Sequence, residues 1–121
     1  MGVASLSAVM LVCGDLHRSL RFYRDILGFR VTVDAAPARI DLELREGVAL
    51  SLHARSGLLA VRPGSLQLGF CVENVDGFLA DCRHLEVPIF QDAYDEPFGR
   101  VAVIGDPDGY PIQVASPRLG S

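Results

Sequence analysis

The sequence predicts an α+β fold of two βαβββ modules, each a mostly antiparallel sheet with one helix packed on it. Three observations predict it. The order strand–helix–strand–strand–strand occurs twice in 121 residues, at a period of about sixty residues. Each helical pattern follows an apolar run of strand length and an Asp or Asn suited to cap it. Between the halves lies segment 55–65, whose Gly57, Pro63 and Gly64 mark a linker. The modules are then residues 1–54 and 66–121 of one domain.

In the first module, Leu6 to Cys13 is apolar and β-branched enough for a strand. Asp15 is placed to accept from the open amides of a first helical turn. Leu16, Leu20, Tyr23 and Leu27 recur at helical spacing, with Phe22 and Ile26 widening the stripe. Gly28 stands where a helix end favours a left-handed residue. Phe29 to Asp34 is the second strand. Arg39 to Arg45 alternates Ile40, Leu42 and Leu44 with Asp41 and Glu43, as a third strand should. Glu46-Gly47 is a turn signal, and Val48 to His53 the fourth strand.

The second module repeats the order. Leu66 to Val72 is a strand, Asn74 a cap, and Phe78, Leu79, Cys82 and Leu85 a short helical stripe. Pro88 to Gln91 reads as a short strand opened by proline. Asp92 to Arg100 reads as a loop and Arg100 to Ile104 as the next strand. Asp106-Pro-Asp-Gly109 is a tight turn and Pro111 to Ala115 the last strand. Asp15 aligns with Asn74, Leu20 with Leu79, and Arg39-Ile40 with Arg100-Val101.

Composition narrows the partners. A formal charge of -4, with no basic stripe, opposes nucleic acid. No apolar run approaches the ~18 residues of a membrane span, and Met1 to Met10 lacks the features of a secretory signal. Cys13, Cys71 and Cys82 are odd in number and have no metal-finger or CxxC spacing, so they read as reduced thiols of a cytoplasmic protein.

Three stretches resemble a known superfamily. Asp15-Leu-His-Arg-Ser-Leu-Arg-Phe-Tyr-Arg-Asp-Ile-Leu-Gly-Phe29 resembles the first helix signature of vicinal oxygen chelate proteins, the glyoxalase, bleomycin resistance and extradiol dioxygenase group. Phe70-Cys-Val-Glu-Asn-Val-Asp76 resembles their second-module opening, and Asp106-Pro-Asp-Gly-Tyr-Pro-Ile-Gln-Val114 their C-terminal turn and strand. One departure is Glu86-Val-Pro88, where relatives often carry glycine, so the second helix is expected to end without a left-handed cap. The resemblance implies that the two sheets curl into a cup with the ligand on its concave face. It also implies a homodimer with pockets between subunits, as in the bleomycin-resistance branch.

In enzymes of that superfamily four inward positions hold a divalent metal. By the resemblance they fall here on Ala8, Ser51, Gln67 and Gln113. Alanine offers no lone pair, serine is a weak neutral ligand, and two amide carbonyls bring no anionic charge. The resemblance is therefore to a metal-free branch, and no cofactor is expected. His17, His53 and His84 lie in three separated places and form no short motif. His17 and His84 are expected to face solvent.

Alternation along strands extends the reading. Ala8 inward brings Met10 and Val12 with it and turns Val9 and Leu11 to the helix. Ser51 inward brings Ala49 and His53, and Gln67 brings Gly69 and Cys71. Tyr94 and Phe98, in the segment before the third strand of the second module, can stack on an aromatic ligand, and Arg100 can add a cation. The candidate ligand-binding set is thus Met10, Ser51, His53, Gln67, Cys71, Tyr94, Phe98, Arg100 and Gln113, with Arg39 as the first-module counterpart of Arg100. Each has a bland rival: Gln67 and Gln113 can bond to each other or to backbone, and Arg39 can form an outward ion pair. Such a lining suits a hydrophobic or aromatic small molecule fixed by a few hydrogen bonds. The expected function is sequestration of such a natural product or drug without catalysis. The alternative is an enzyme of the superfamily, either metal-free with His53 as general base or dependent on a metal held elsewhere.

Overall fold

The computed structural model describes residues 1–44, 48–57 and 59–117. The Glu46-Gly47 turn and the Arg45 end of the expected third strand lie outside the described residues. The chain divides into two compact units, Met1–Val61 and Arg62–Ser121. Each carries four strands and one principal helix in the βαβββ order that the sequence predicts.

The first unit comprises β1 (Ala8–Cys13), α1 (Leu16–Arg21), β2 (Arg30–Ala35), β3 (Arg39–Glu43) and β4 (Ala49–Ala54). Its sheet has the order β1-β4-β3-β2. β1 pairs parallel to β4, while β4, β3 and β2 run antiparallel. Asp15 caps α1 as its chemistry suggests, its Oδ1 accepting from the Arg18 amide at 3.1 Å. The helix does not continue as regular α. Phe22–Ile26 widens into a π turn, and the chain leaves through Gly28 at φ 86°. The Phe29 amide then donates back to the Tyr23 carbonyl at 3.0 Å.

Parity along the strands decides which face holds the core. Leu11, Leu52 and Ile40 lie side by side across β1, β4 and β3, and Leu50 pairs with Leu42. All five are buried. Helix α1 packs over β4 and β3, where Leu16, Leu20, Phe22 and Tyr23 complete the core. Every residue of β2 is exposed, so this edge strand adds backbone hydrogen bonds more than burial.

The second unit comprises β5 (Leu68–Cys71), α2 (Val75–His84), β6 (Ile89–Glu96), β7 (Gly99–Gly105) and β8 (Pro111–Pro117), with a 3-10 turn at Pro63–Ser65 before them. Its sheet order, β5-β8-β7-β6, repeats that of the first. Asn74 caps α2, accepting from the Gly77 amide at 3.0 Å. The core stripe of α2 is Val75, Leu79 and Cys82, all buried. Leu85, expected in that stripe, is instead 53% exposed because the helix has ended at His84.

Two expectations fail here for identifiable reasons. The segment Asp92 to Arg100 is not a loop. Strand β6 runs to Glu96, and a two-residue turn, Pro97-Phe98, returns the chain into β7. Register irregularities between Ile89 and Gln91 and between Gln91 and Tyr94 break the alternation that would have revealed the strand. The end of α2 also differs. Glu86 itself adopts φ 60°. Its amide donates to the Arg83 carbonyl at 3.2 Å, and that of Val87 to the Cys82 carbonyl at 2.8 Å. These are the two bonds of a Schellman cap, formed with a residue that bears a Cβ. A left-handed non-glycine residue costs roughly 1–2 kcal/mol. Glu86→Gly is therefore expected to stabilise the protein by about 1 kcal/mol. Urea denaturation checks this; a loss of stability would contradict it.

Candidate functional site

The face of the first sheet away from α1 carries the densest polar chemistry of that unit. Cross-strand register places two rows there. Met10, Ser51, Asp41 and Val33 run across β1, β4, β3 and β2, and Val12, His53, Arg39 and Ala35 run beside them. Met10, Ser51 and His53, expected on one face, are brought together. Asp41 joins them, a residue to which the sequence reading gave no role in the site. Its alternation with Ile40 and Leu42 carried the signal, but its partner across the sheet is set by non-local register.

These side chains bond to one another. Ser51 is buried, and its Oγ donates to Asp41 Oδ1 at 2.5 Å. His53 Nε2 lies 2.9 Å from the same Oγ. Arg39 Nε stands 3.4 Å from Asp41 Oδ1, completing an ion pair. A serine hydroxyl has one proton to give, and a carboxylate only accepts. With that proton directed at Asp41, Ser51 accepts from His53. The order of contacts excludes a Ser-His-Asp nucleophile, in which the carboxylate orients imidazole and imidazole takes the serine proton. Here the carboxylate holds the serine, and the serine holds the imidazole. His17 and His84 are exposed.

In the second unit the corresponding face carries Gly69, Gln113, Val103 and Gln91 in one row, and Cys71, Ala115, Val101 and Tyr94 in the next. Gln113 is half-buried and Gln67, just before β5, is exposed rather than buried. Cys71 is an exposed thiol. Tyr94 and Phe98 are 41% and 60% exposed, Tyr94 on β6 and Phe98 in the hairpin turn. Phe90 was missed. It is 53% exposed, and its ring fills the space that a Cβ on Gly105 would occupy. Its signal was an aromatic residue inside a short strand, and the register irregularity beside it hid the face it takes. Cys13 and Cys82 are buried, and burial pushes the Cys82 thiol up from its ordinary range, as suits an inert core thiol.

Arg100 is placed differently from expectation. It lies opposite Ser116 on β8 and in the same parity as Ala102 and Ile104, on the face toward α2. Its Nε and Nη2 grip Asp76 of that helix at 2.7 and 3.0 Å, and its Nη1 reaches Asp95 at 3.1 Å. The true register sets Val101 opposite Ala115, as Arg39 is opposite His53. Aligning Arg39 with Arg100 was thus one residue out, and one residue exchanges the faces of a strand. The guanidinium hydrogen bonds hold the Asp76 carboxyl below the usual carboxylate range. A carboxyl lowered in the folded state contributes stability above its unfolded pKa and loses it as pH falls through the folded value. Arg100→Ala is expected to flatten the loss of stability below pH ~4. Stability profiles of the two proteins that stay parallel in acid would contradict this.

The family model described as "Glyoxalase/Bleomycin resistance protein/Dioxygenase superfamily" matches residues 5–114 of the chain. The chain belongs to that superfamily. Solved structures agree on the fold. The lactoylglutathione lyase of Agrobacterium tumefaciens superposes with a TM-score of 0.77 at 19% identity, over 99% of this chain and 98% of that one. TnmS3, an antibiotic binding protein from Streptomyces sp. CB03234, gives 0.78 at 24% identity, covering 98% and 99%. The trypanothione-dependent glyoxalase I of Leishmania major gives 0.74 at 28% identity, covering 94% and 87%. No curated protein matches the chain in sequence.

The four positions that the resemblance assigns to a divalent metal carry side chains poorly suited to one. Ala8 has no donor atom, and the hydroxyl of Ser51 is engaged with Asp41 and His53. Gln67 and Gln113 offer only neutral amides. Among the described residues no three His, Cys, Asp or Glu side chains gather as a metal centre. Among those residues, too, no helix is long and apolar enough to cross a membrane.

Proposed function

We propose that this protein binds a small hydrophobic or aromatic molecule on the face of the first sheet turned away from its helix, holds it without a metal, and releases it unchanged. The observation that carries this reading is the face of the first sheet. Its apolar members, Met10 and Val33, are 67% and 42% exposed and flank a polar group whose members are bonded to one another. Exposed apolar area supplies affinity, and a few fixed polar atoms supply orientation. Phe90 and Tyr94 offer comparable aromatic surface on the second unit. The antibiotic-binding activity named for the structural relative TnmS3 supports the same reading. Cytoplasmic residence and a homodimer belong to the proposal; β2, exposed along its length at a sheet edge, is consistent with a partner chain.

A fluorescent naphthol titrated into the protein tests this. Saturable, stoichiometric binding is expected, and Met10→Asp should weaken it at least tenfold while leaving the fold intact, since Met10 is not part of the core. Binding that is unsaturable or indifferent to Met10→Asp would contradict it. A second reading is favoured by one observation, the imidazole held by Ser51: His53 would serve as general base of a metal-free enzyme. Turnover that disappears in His53→Ala while binding persists would establish that reading instead.

A further inference from the structure

We propose that Nδ1 of His53 is the atom that sets ligand choice, and that the preferred ligand is an aromatic molecule presenting a phenolic hydroxyl. This rests on the small-molecule-binding reading above and names the ligand class for the same face.

The proton count along the bonded row selects one tautomer of the neutral imidazole. Asp41, paired with Arg39, accepts, so the single Ser51 proton is spent on it at 2.5 Å. Ser51 Oγ then has only lone pairs for His53, and the 2.9 Å contact to Nε2 requires a hydrogen on that nitrogen. The neutral ring is left with an unprotonated Nδ1. Among the described residues, Ser51 is the one that bonds to the His53 ring. A ligand atom brought against Nδ1 must therefore be a donor; an ether or carbonyl oxygen would set lone pair against lone pair.

The neighbourhood sets the rest of the ligand. His53 lies between Val12 and Arg39 in its row, with Ala35 beyond, and Met10 in the adjacent row is 67% exposed. Thioether and aliphatic side chains make good contacts with an aromatic ring. A phenol unites that ring with a donor stronger than an alkyl alcohol. Leaving the acceptor unmet is expected to cost about tenfold in affinity.

The test compares 2-naphthol with 2-methoxynaphthalene, which share the ring but not the donor. The wild type is expected to bind 2-naphthol about tenfold more tightly, and the difference should fall below about twofold in His53→Phe, with His53→Leu as a second variant if the first folds poorly. Equal affinities in the wild type would overturn this inference and leave the binding reading standing; failure of both probes to bind would overturn both. Nitrogen-15 spectra of the histidine ring give an independent readout. Protonated Nε2 and bare Nδ1 are expected in the neutral ring, with the preference relaxed in Ser51→Ala. A ring protonated at Nδ1 would overturn the inference whatever the probes do.

Discussion

Tyr23→Ala is expected to lower stability by about 3–5 kcal/mol, the range for emptying an aromatic site in a core. Tyr23 is fully buried. Its ring meets Phe22 edge-on at 5.0 Å and 89°, and Phe29 at 6.0 Å and 79°. These edge-to-face contacts add to the burial itself. The residue sits in the π turn that ends the first helix, and its carbonyl accepts from the Phe29 amide. A cavity there thus removes side-chain packing at the point where the helix hands over to β2. Urea denaturation measures the loss, and Tyr23→Phe, which keeps the ring, should lose much less. A change under about 1 kcal/mol in Tyr23→Ala would mean that the site collapses without a lasting cavity.

Asp106→Ala is expected to cost about 2–4 kcal/mol. The side chain is 3% exposed, and its Oδ1 accepts from the amides of Asp108 and Tyr110, both at 2.9 Å. The Asp106 carbonyl also accepts from the Gly109 amide at 3.0 Å, and Gly109 takes φ 88°. The carboxylate therefore satisfies two donors inside a turn that launches β8. Truncation leaves both without that acceptor, and an unmet donor in a buried place costs more than a bond gains. Asp106→Asn retains an acceptor oxygen and should recover most of the loss. Equal destabilisation by the two variants would contradict the role given to Oδ1.

Local signals in the sequence located most of the fold. Asp15 and Asn74 cap their helices because capping needs only a short polar side chain beside free amides. The turn at Asp106 to Gly109 was equally local. Parity in β1 and β4 turned Leu11 to the helix and put Met10, Ser51 and His53 on the opposite face, because one buried face fixes a period of two. What failed was non-local or irregular. Bulges in β6 hid a strand. A one-residue error of register put Arg100 on the wrong face. Asp41 acquired its role only when β3 paired with β4, which no spacing along the chain announces. Glu86 shows that a left-handed cap can form without glycine when both cap hydrogen bonds reward it.

The most direct test of metal-free binding is a titration of 2-naphthol into protein stripped with EDTA, repeated after adding one equivalent of zinc, manganese or ferrous ion, with the naphthol recovered and weighed against the amount supplied. Identical isotherms and full recovery are predicted. Binding that appears only with a metal, or naphthol converted to product when any of the ions is present, would contradict it.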